Sequence, residues 1–124
     1  MRLALGLLAL MLAIAGVSFW AWRASPAVAP CANRDVSAAT SPDGKTLGEV
    51  FEQRCGASVA THVALRPAGS NPLMRSDVFI AAGTPAVRLL WNDAHEVVVE
   101  SPAEHVLVEE SGWRNVRVRL RRVR

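Results

Sequence analysis

The hydrophobic pattern divides the chain into two parts. Residues 3–22 are apolar except for two glycines and one serine. As a helix, this segment would be about 30 Å long, which matches the hydrocarbon thickness of a bilayer. Three aromatic residues lie at its far end, where amphipathic rings favour the headgroup region. We therefore predict that residues 1–24 form a transmembrane signal-anchor helix.

Two other fates of this segment remain as alternatives. The apolar region of a cleaved signal peptide is shorter, about 7–15 residues, and ends in a small-x-small cleavage site. The two candidate sites are poor, since Ala27-Val28-Ala29 is followed by Pro30 and Ser25-Pro26-Ala27 contains a proline. Pro30 also precedes Cys31, where a lipid-modified cysteine would need a small residue before it. We expect a retained single-pass anchor, with cleavage or lipidation as the alternatives.

Beyond the anchor, the pattern predicts a linker and then short strands. Residues 25–42 contain alanine, serine and three prolines without apolar periodicity, which is typical of a linker. Turn residues then recur, the later ones about every 9–10 residues, as in an antiparallel meander. The segments between the turns are rich in β-branched residues and predict up to seven strands: Thr46–Arg54, Ala60–Arg66, Ser76–Ala82, Ala86–Trp91, His95–Glu100, His105–Glu109 and Arg114–Arg121.

The last of these segments has the clearest pattern. Val116, Val118 and Leu120 alternate with arginines, a period of two that predicts a strand with one buried side. No window after the anchor has a convincing period of 3.6. We therefore predict one all-β domain over residues 43–124, an antiparallel meander or sandwich of six to seven strands.

Composition supports one folded domain and argues against a nucleic-acid partner. The 124 residues are 51% hydrophobic and 20% charged, which excludes a disordered chain. The formal net charge is +3, but Arg2 and Arg23 flank the anchor. The remainder has twelve basic and eleven acidic residues. The high isoelectric point therefore does not indicate binding to nucleic acid.

Cys31 and Cys55 are the only cysteines in the sequence. Their separation is too large for a redox pair, and the scattered histidines offer no set of metal ligands. A structural disulfide or two buried free thiols remain, and we expect the disulfide. Disulfides persist outside the cytosol. Because the arginines around the anchor are nearly balanced and leave its orientation open, the cysteines favour a β domain on the extracytoplasmic side.

Several motifs together resemble a group of small bacterial envelope proteins of uncharacterised function. They are Ser41-Pro42-Asp43-Gly44-Lys45, then Cys55-Gly56, then residues 61–69, with a looser likeness around Trp91-Asn92-Asp93. Members of the group have an N-terminal hydrophobic segment and cysteines at the places of Cys31 and Cys55. The resemblance implies a bacterial, envelope-facing domain and brings no activity with it.

No arrangement of residues predicts catalysis or a cofactor. The sequence has no nucleophile elbow and no glycine-rich phosphate loop. We expect His62 to be a partly exposed strand residue, and His95 and His105 to be solvated. We therefore assign no catalytic, cofactor-binding or metal-binding residue.

The C-terminus is the one segment that suggests an interaction. Residues 113–124 contain six arginines and no acidic residue, whereas residues 25–112 contain six basic and eleven acidic residues. One interpretation makes Arg117, Arg119 and Arg121 a row that binds an anionic lipid or an acidic envelope protein. Trp113 would then lie beside them as an aromatic anchor.

Two other interpretations of these arginines are structural. They can belong to a solvated edge strand whose charge discourages pairing between molecules. They can also pair within a hairpin around Ser111-Gly112, in which Glu109 faces Arg114 and Glu104 faces Arg119.

The sequence as a whole predicts a non-enzymatic interaction or structural module. We expect it in the bacterial inner membrane through a single-pass anchor, with the β domain in the periplasm or outside the cell. The alternatives are a released periplasmic domain that binds an anionic envelope component, and an enzyme without a recognisable motif. We expect no cofactor and no nucleic-acid partner, and the sequence does not indicate the oligomeric state.

Overall fold

The apolar N-terminal segment forms one long helix. The structure, a computed structural model, describes residues 1–24 and 30–124. Helix α1 (Arg2–Ala24) has a mean hydropathy of 2.3 over its most apolar window, and none of that window is buried against the rest of the protein. The predicted helix is confirmed, and its length and composition suit a membrane span. A signal sequence has the same form, so the crossing itself stays a prediction.

Nine strands follow in the described part of the chain. They are β1 (Cys31–Thr40), β2 (Thr46–Cys55), β3 (Ser58–Pro67), β4 (Ser76–Ala82), β5 (Arg88–Asp93), β6 (Glu96–Ser101), β7 (Val106–Glu109), β8 (Gly112–Trp113) and β9 (Val116–Arg122). A short 3-10 helix, Pro72–Met74, lies between β3 and β4. The all-β domain is confirmed. Each of the seven predicted segments contains a strand, with ends that differ by at most two residues.

The strands form two sheets that share one hydrophobic core. The first sheet has the order β1-β2-β3-β4-β7, and the second has the order β5-β6-β9-β8. The core takes Val63 and Phe79 from the first sheet and Val97, Val99 and Val118 from the second. Because buried residues of both sheets lie in one cluster, the sheets pack face to face as a sandwich.

A simple antiparallel meander is wrong for the last third of the chain. Strand β7 pairs with β4 in the first sheet, and β9 returns to the second sheet parallel to β6. The alternative in which β7 and β9 form a hairpin around Ser111-Gly112 is therefore not what the structure has. Glu109 lies opposite Phe79, and Arg119 lies opposite Val98. Turn residues predict where the chain reverses, but they do not determine which sheet the next strand joins.

The second half of the predicted linker is a strand. β1 pairs with β2 from Cys31 opposite Cys55 to Thr40 opposite Leu47. Almost all β1 side chains are exposed, and β1 supplies no residue to the core. A strand without a buried side needs no apolar alternation, so its sequence resembles a linker. The β domain therefore begins before residue 43, and residues 25–29 of the predicted linker lie outside the described residues.

Ser41, Asp43 and Gly44 build the turn between β1 and β2. The Gly44 N–H donates to the Ser41 carbonyl at 2.9 Å, and Gly44 has a φ of 73°, which glycine adopts at no steric cost. The Ser41 hydroxyl donates to Asp43 Oδ1 at 2.6 Å, and the Lys45 N–H donates to the same oxygen at 3.1 Å. Both hydrogen bonds lower the pKa of Asp43 below its ordinary value, and the bond from Ser41 has the larger effect.

Candidate functional site: the arginine face of the second sheet

Strand β9 places three arginines in a row on the outer side of the second sheet. Val116 and Val118 are buried in the core, so the residues that alternate with them along the strand point outward. Arg117, Arg119 and Arg121 are all exposed there. The row predicted from the period-two pattern is therefore present in the structure.

Two glutamates of the neighbouring strand β6 lie beneath this row. In the parallel register, Glu96 lies opposite Arg117 and Glu100 lies opposite Arg121. Glu96 is 3.7 Å from Arg117 and 3.5 Å from Arg119, while the Arg121 guanidinium donates to Glu100. The acids that neutralise the arginines therefore come from β6 and not from Glu104 and Glu109, which one of the structural interpretations paired with them.

Exposure separates the guanidinium groups from the carboxylates. The side chains of Arg117, Arg119 and Arg121 are 75%, 64% and 59% exposed, whereas those of Glu96 and Glu100 are 17% and 11% exposed. The carboxylates are thus recessed and the guanidinium groups face the solvent. An approaching ligand meets N–H donors first.

The outer side of the second sheet has an excess of positive charge. Arg88 on β5 lies opposite Glu100 and adds a fourth arginine to this side. We call this side, with Arg88, Arg117, Arg119 and Arg121, the arginine face. Asp93 lies opposite Glu96, so the four arginines exceed the three acidic residues of this side by one charge. Val98, between the two glutamates, is only 6% exposed, as expected when arginine stems cover an apolar side chain.

Trp113 does not belong to the arginine face, which corrects the predicted surface. Trp113 lies opposite Val116 and packs against the core. Residues directly opposite each other in a pair of strands share one side of the sheet, so Trp113 takes the inner side with Val116. The Arg114 guanidinium lies 4.7 Å from the centre of the Trp113 ring, and Arg114 has a φ of 53° in the tight turn to β9.

The two cysteines meet at the end of the hairpin formed by β1 and β2. Cys31 and Cys55 lie opposite each other with a Cα–Cα distance of 4.2 Å, and their sulfur atoms are at bonding distance. This geometry agrees with the predicted disulfide. The bond would join the first residue of β1 to the last residue of β2.

The sequence analysis missed a second polar cluster, on the outer side of the first sheet. His62 is 8% exposed and therefore buried, not partly exposed as expected. Its ring stacks on Phe51 with centroids 4.9 Å apart, and the Arg75 guanidinium lies 3.9 Å from the centre of the Phe51 ring. The connection between β3 and β4 folds over these side chains. That contact depends on tertiary packing and leaves no signal in local periodicity.

This cluster borders a shallow pocket of about 260 Å³. His62 Nδ1 lies 3.3 Å from Asp77 Oδ1 without the alignment of a hydrogen bond. The other lining residues are Phe51, Gln53, Pro72, Leu73 and Arg75. This lining has no serine, threonine or cysteine to serve as a nucleophile. His95 and His105 lie apart from the pocket and are exposed. Across residues 1–24 and 30–124, no three potential ligand side chains come together in a way that could hold a metal ion.

The sequence matches no family model, and no curated protein or solved structure is significantly similar to it. A functional argument therefore rests on the geometry and charge of the described residues.

Proposed function

We propose that this protein is a non-enzymatic recognition module. In this proposal, α1 anchors it in a bacterial inner membrane, the β-sandwich lies on the extracytoplasmic side, and the arginine face binds an anionic partner. The observation that carries the proposal is the exposed row of arginines above two recessed glutamates.

The tether would keep the sandwich close to the bilayer. Helix α1 ends at Ala24 and β1 begins at Cys31. Seven residue steps of at most about 3.6 Å each bring Cys31 within about 25 Å of the end of the helix, whatever path the chain takes. A binding surface held this close to a membrane encounters envelope components at high effective concentration, so weak contacts suffice.

The cysteine pair supports an extracytoplasmic location. A disulfide between Cys31 and Cys55 is stable in the periplasm or outside the cell and is rare in the cytosol. The arginines around α1 leave the orientation open, since Arg2 lies before the helix core and Arg23 and Arg34 lie beyond it. The oxidation state of the two cysteines is therefore the main evidence for the side of the membrane on which the β domain lies.

The arginine face has more donor capacity than its own glutamates use. Each guanidinium carries five N–H donors. Arg117 and Arg119 approach the same carboxylate only loosely, at 3.7 and 3.5 Å. Ion pairs of such exposed side chains contribute about 0–1 kcal/mol to stability, so fold stability alone gives little reason for the row. A carboxylate or phosphate partner would use the spare donors.

Binding of full-length protein in nanodiscs of phosphatidylcholine to immobilised poly-glutamate tests the proposal. Replacing Arg117 and Arg119 with glutamine should weaken binding about fivefold or more, since two charged contacts are lost. The fold should survive, because Glu96 keeps a hydrogen bond of 2.8 Å from the Asn92 side chain. Circular dichroism checks that the variant is folded.

The matched control removes the same charge from another part of the sandwich. Arg34 and Arg54 lie on the hairpin of β1 and β2 and are both exposed. The variant with glutamine at these two positions should bind like the wild type. Equal loss in both variants would mean that binding depends only on overall charge, and no binding by the wild type would contradict the proposal. Vesicles containing phosphatidylglycerol, tested in parallel, show whether lipid headgroups compete for the same arginines.

A further inference from the structure

Strand β9 has an open edge beside the arginine face. Its neighbour on one side is β6, which pairs with it from Arg117 to Arg122. On the other side β8 contains only two residues, which lie opposite Val116 and Arg117. In the part of the chain that the structure describes, no strand covers this second side of β9 beyond Arg117.

The direction of the backbone groups along this edge follows from three hydrogen bonds. The N–H groups of Arg117 and Val123 donate to β6 or its flanking residue, at His95 and Ser101. The N–H of Val118 points the other way and donates to Ser111 at 2.9 Å. Successive backbone groups alternate along a strand. The N–H groups of Leu120 and Arg122 therefore point to the open side.

Backbone groups of this kind form a template for one more strand. A strand added beside β9 would place alternate side chains on the outer side of the sheet, next to Arg119 and Arg121. The side chains between them would face inward beside Leu120, which is half-buried and packs against the core. The edge thus favours a strand in which one set of alternate residues can pair with arginine and the other set is apolar.

The same arginines argue against a second copy of this chain as the added strand. Pairing two β9 edges would bring arginines of both copies together on the outer side, and like charges in opposite positions destabilise a pair of strands. Carboxylates in those positions would instead form charge-assisted hydrogen bonds with the guanidinium groups. Charge therefore favours an acidic partner.

We propose that an extended segment of a partner protein, with acidic and apolar residues in alternation, adds to the open edge of β9 as a further strand of the second sheet. This inference rests on the proposed function, since it specifies the partner of the arginine face. It adds a requirement that electrostatic attraction alone does not have: the backbone of the partner must bond to Leu120 and Arg122.

The test uses full-length protein in phosphatidylcholine nanodiscs and an eight-residue peptide in which glutamate alternates with valine. Residue-resolved hydrogen exchange should show fast exchange at the amides of Leu120 and Arg122 in the free protein, and slow exchange at Arg119 and Arg121. The peptide should slow exchange at Leu120 and Arg122 at least about tenfold. Unchanged exchange at these two amides with bound peptide would overturn the inference.

Two N-methylated forms of the peptide provide a matched control. Methylation of alternate amides removes backbone donors without changing charge, and the two forms carry the methyl groups on opposite edges of the peptide. The form methylated on the bonding edge should bind about tenfold more weakly or worse, because it loses the backbone donors that bond to β9. The other form should bind like the parent. Equal binding of both forms would also overturn the inference.

These outcomes separate the inference from the proposed function. If the peptide and its methylated forms all bind equally, and binding is lost on replacing Arg117 and Arg119, the arginine face binds anions without adding a strand. If neither the peptide nor poly-glutamate binds, both proposals fail, and the arginines serve to prevent edge pairing.

Discussion

Removal of the bond between Cys31 and Cys55 should lower the free energy of unfolding by about 3–4 kcal/mol. The perturbation is replacement of both cysteines with serine, which avoids leaving one free thiol. The two residues are 24 positions apart, so the bond closes a loop of about 25 residues. The chain-entropy model gives roughly 3.5 kcal/mol for this loop at 25 °C.

The structure also indicates which part of the fold loses stability first when the bond is removed. Strand β1 supplies no core residue, and its pairing with β2 is irregular between Asp35 and Ser37. Without the bond, residues 31–35 are held to β2 by ladder hydrogen bonds, by an exposed hydrogen bond of 3.2 Å from the Gln53 side chain to Asn33 Oδ1, and by a weak ion pair between Arg34 and Glu52 at 3.7 Å. We expect this end of β1 to fray while the core stays folded.

Two measurements check this prediction on the full-length protein in detergent micelles. Urea denaturation followed by circular dichroism should show a lower midpoint for the double serine variant. Hydrogen exchange should show protection lost at residues 32–35, whereas the core strands β3 and β6 stay protected and lose no more protection than the fall in global stability requires. A midpoint equal to that of the wild type would contradict a stabilising bond between Cys31 and Cys55, and so would two alkylatable thiols in unreduced protein from native membranes.

Two further predictions concern the core and the first turn. Replacing Phe79 with alanine removes a side chain that is 1% exposed between the sheets, and should cost about 3–5 kcal/mol in urea denaturation; a loss below about 1 kcal/mol would contradict its place in the core. The lowered pKa of Asp43 means that its carboxylate stabilises the fold above pH 3.8 and that this contribution disappears as the pH falls through the lower folded value. Replacing Asp43 with asparagine should therefore reduce the drop in urea midpoint between pH 5 and pH 2, and an unchanged drop would contradict the role of the turn.

Local sequence patterns predicted most of the strands because each of these has one side that packs against the core. The alternation at Val116, Val118 and Leu120 is an example, since packing against the other sheet requires apolar residues at every second position. Strand β1 escaped prediction because its side chains are exposed and no such requirement acts on them. The parallel pairing of β6 and β9 was not predicted, because it follows from the place of β7 as the edge strand of the first sheet, next to β4.

The candidate site was predictable in part for the same reason. Alternation along β9 placed Arg117, Arg119 and Arg121 together, and the structure agrees. The same period of two, extended back to residue 113, predicted Trp113 on the same side as these arginines. The turn at Arg114 and Asn115 changes this parity, because it places Trp113 directly opposite the inward-facing Val116. Glu96 and Glu100 were not predicted as partners, since they are distant in sequence and meet the arginines only through the parallel register.

Arginine footprinting in the presence of an anionic ligand tests whether the arginine face is the binding surface. Full-length protein in phosphatidylcholine nanodiscs is treated with phenylglyoxal, with and without saturating poly-glutamate, and the modified arginines are located by mass spectrometry. Poly-glutamate should protect Arg117, Arg119 and Arg121 and leave Arg34 and Arg54 reactive. Equal protection of all five arginines, or protection of Arg34 and Arg54 alone, would contradict this prediction.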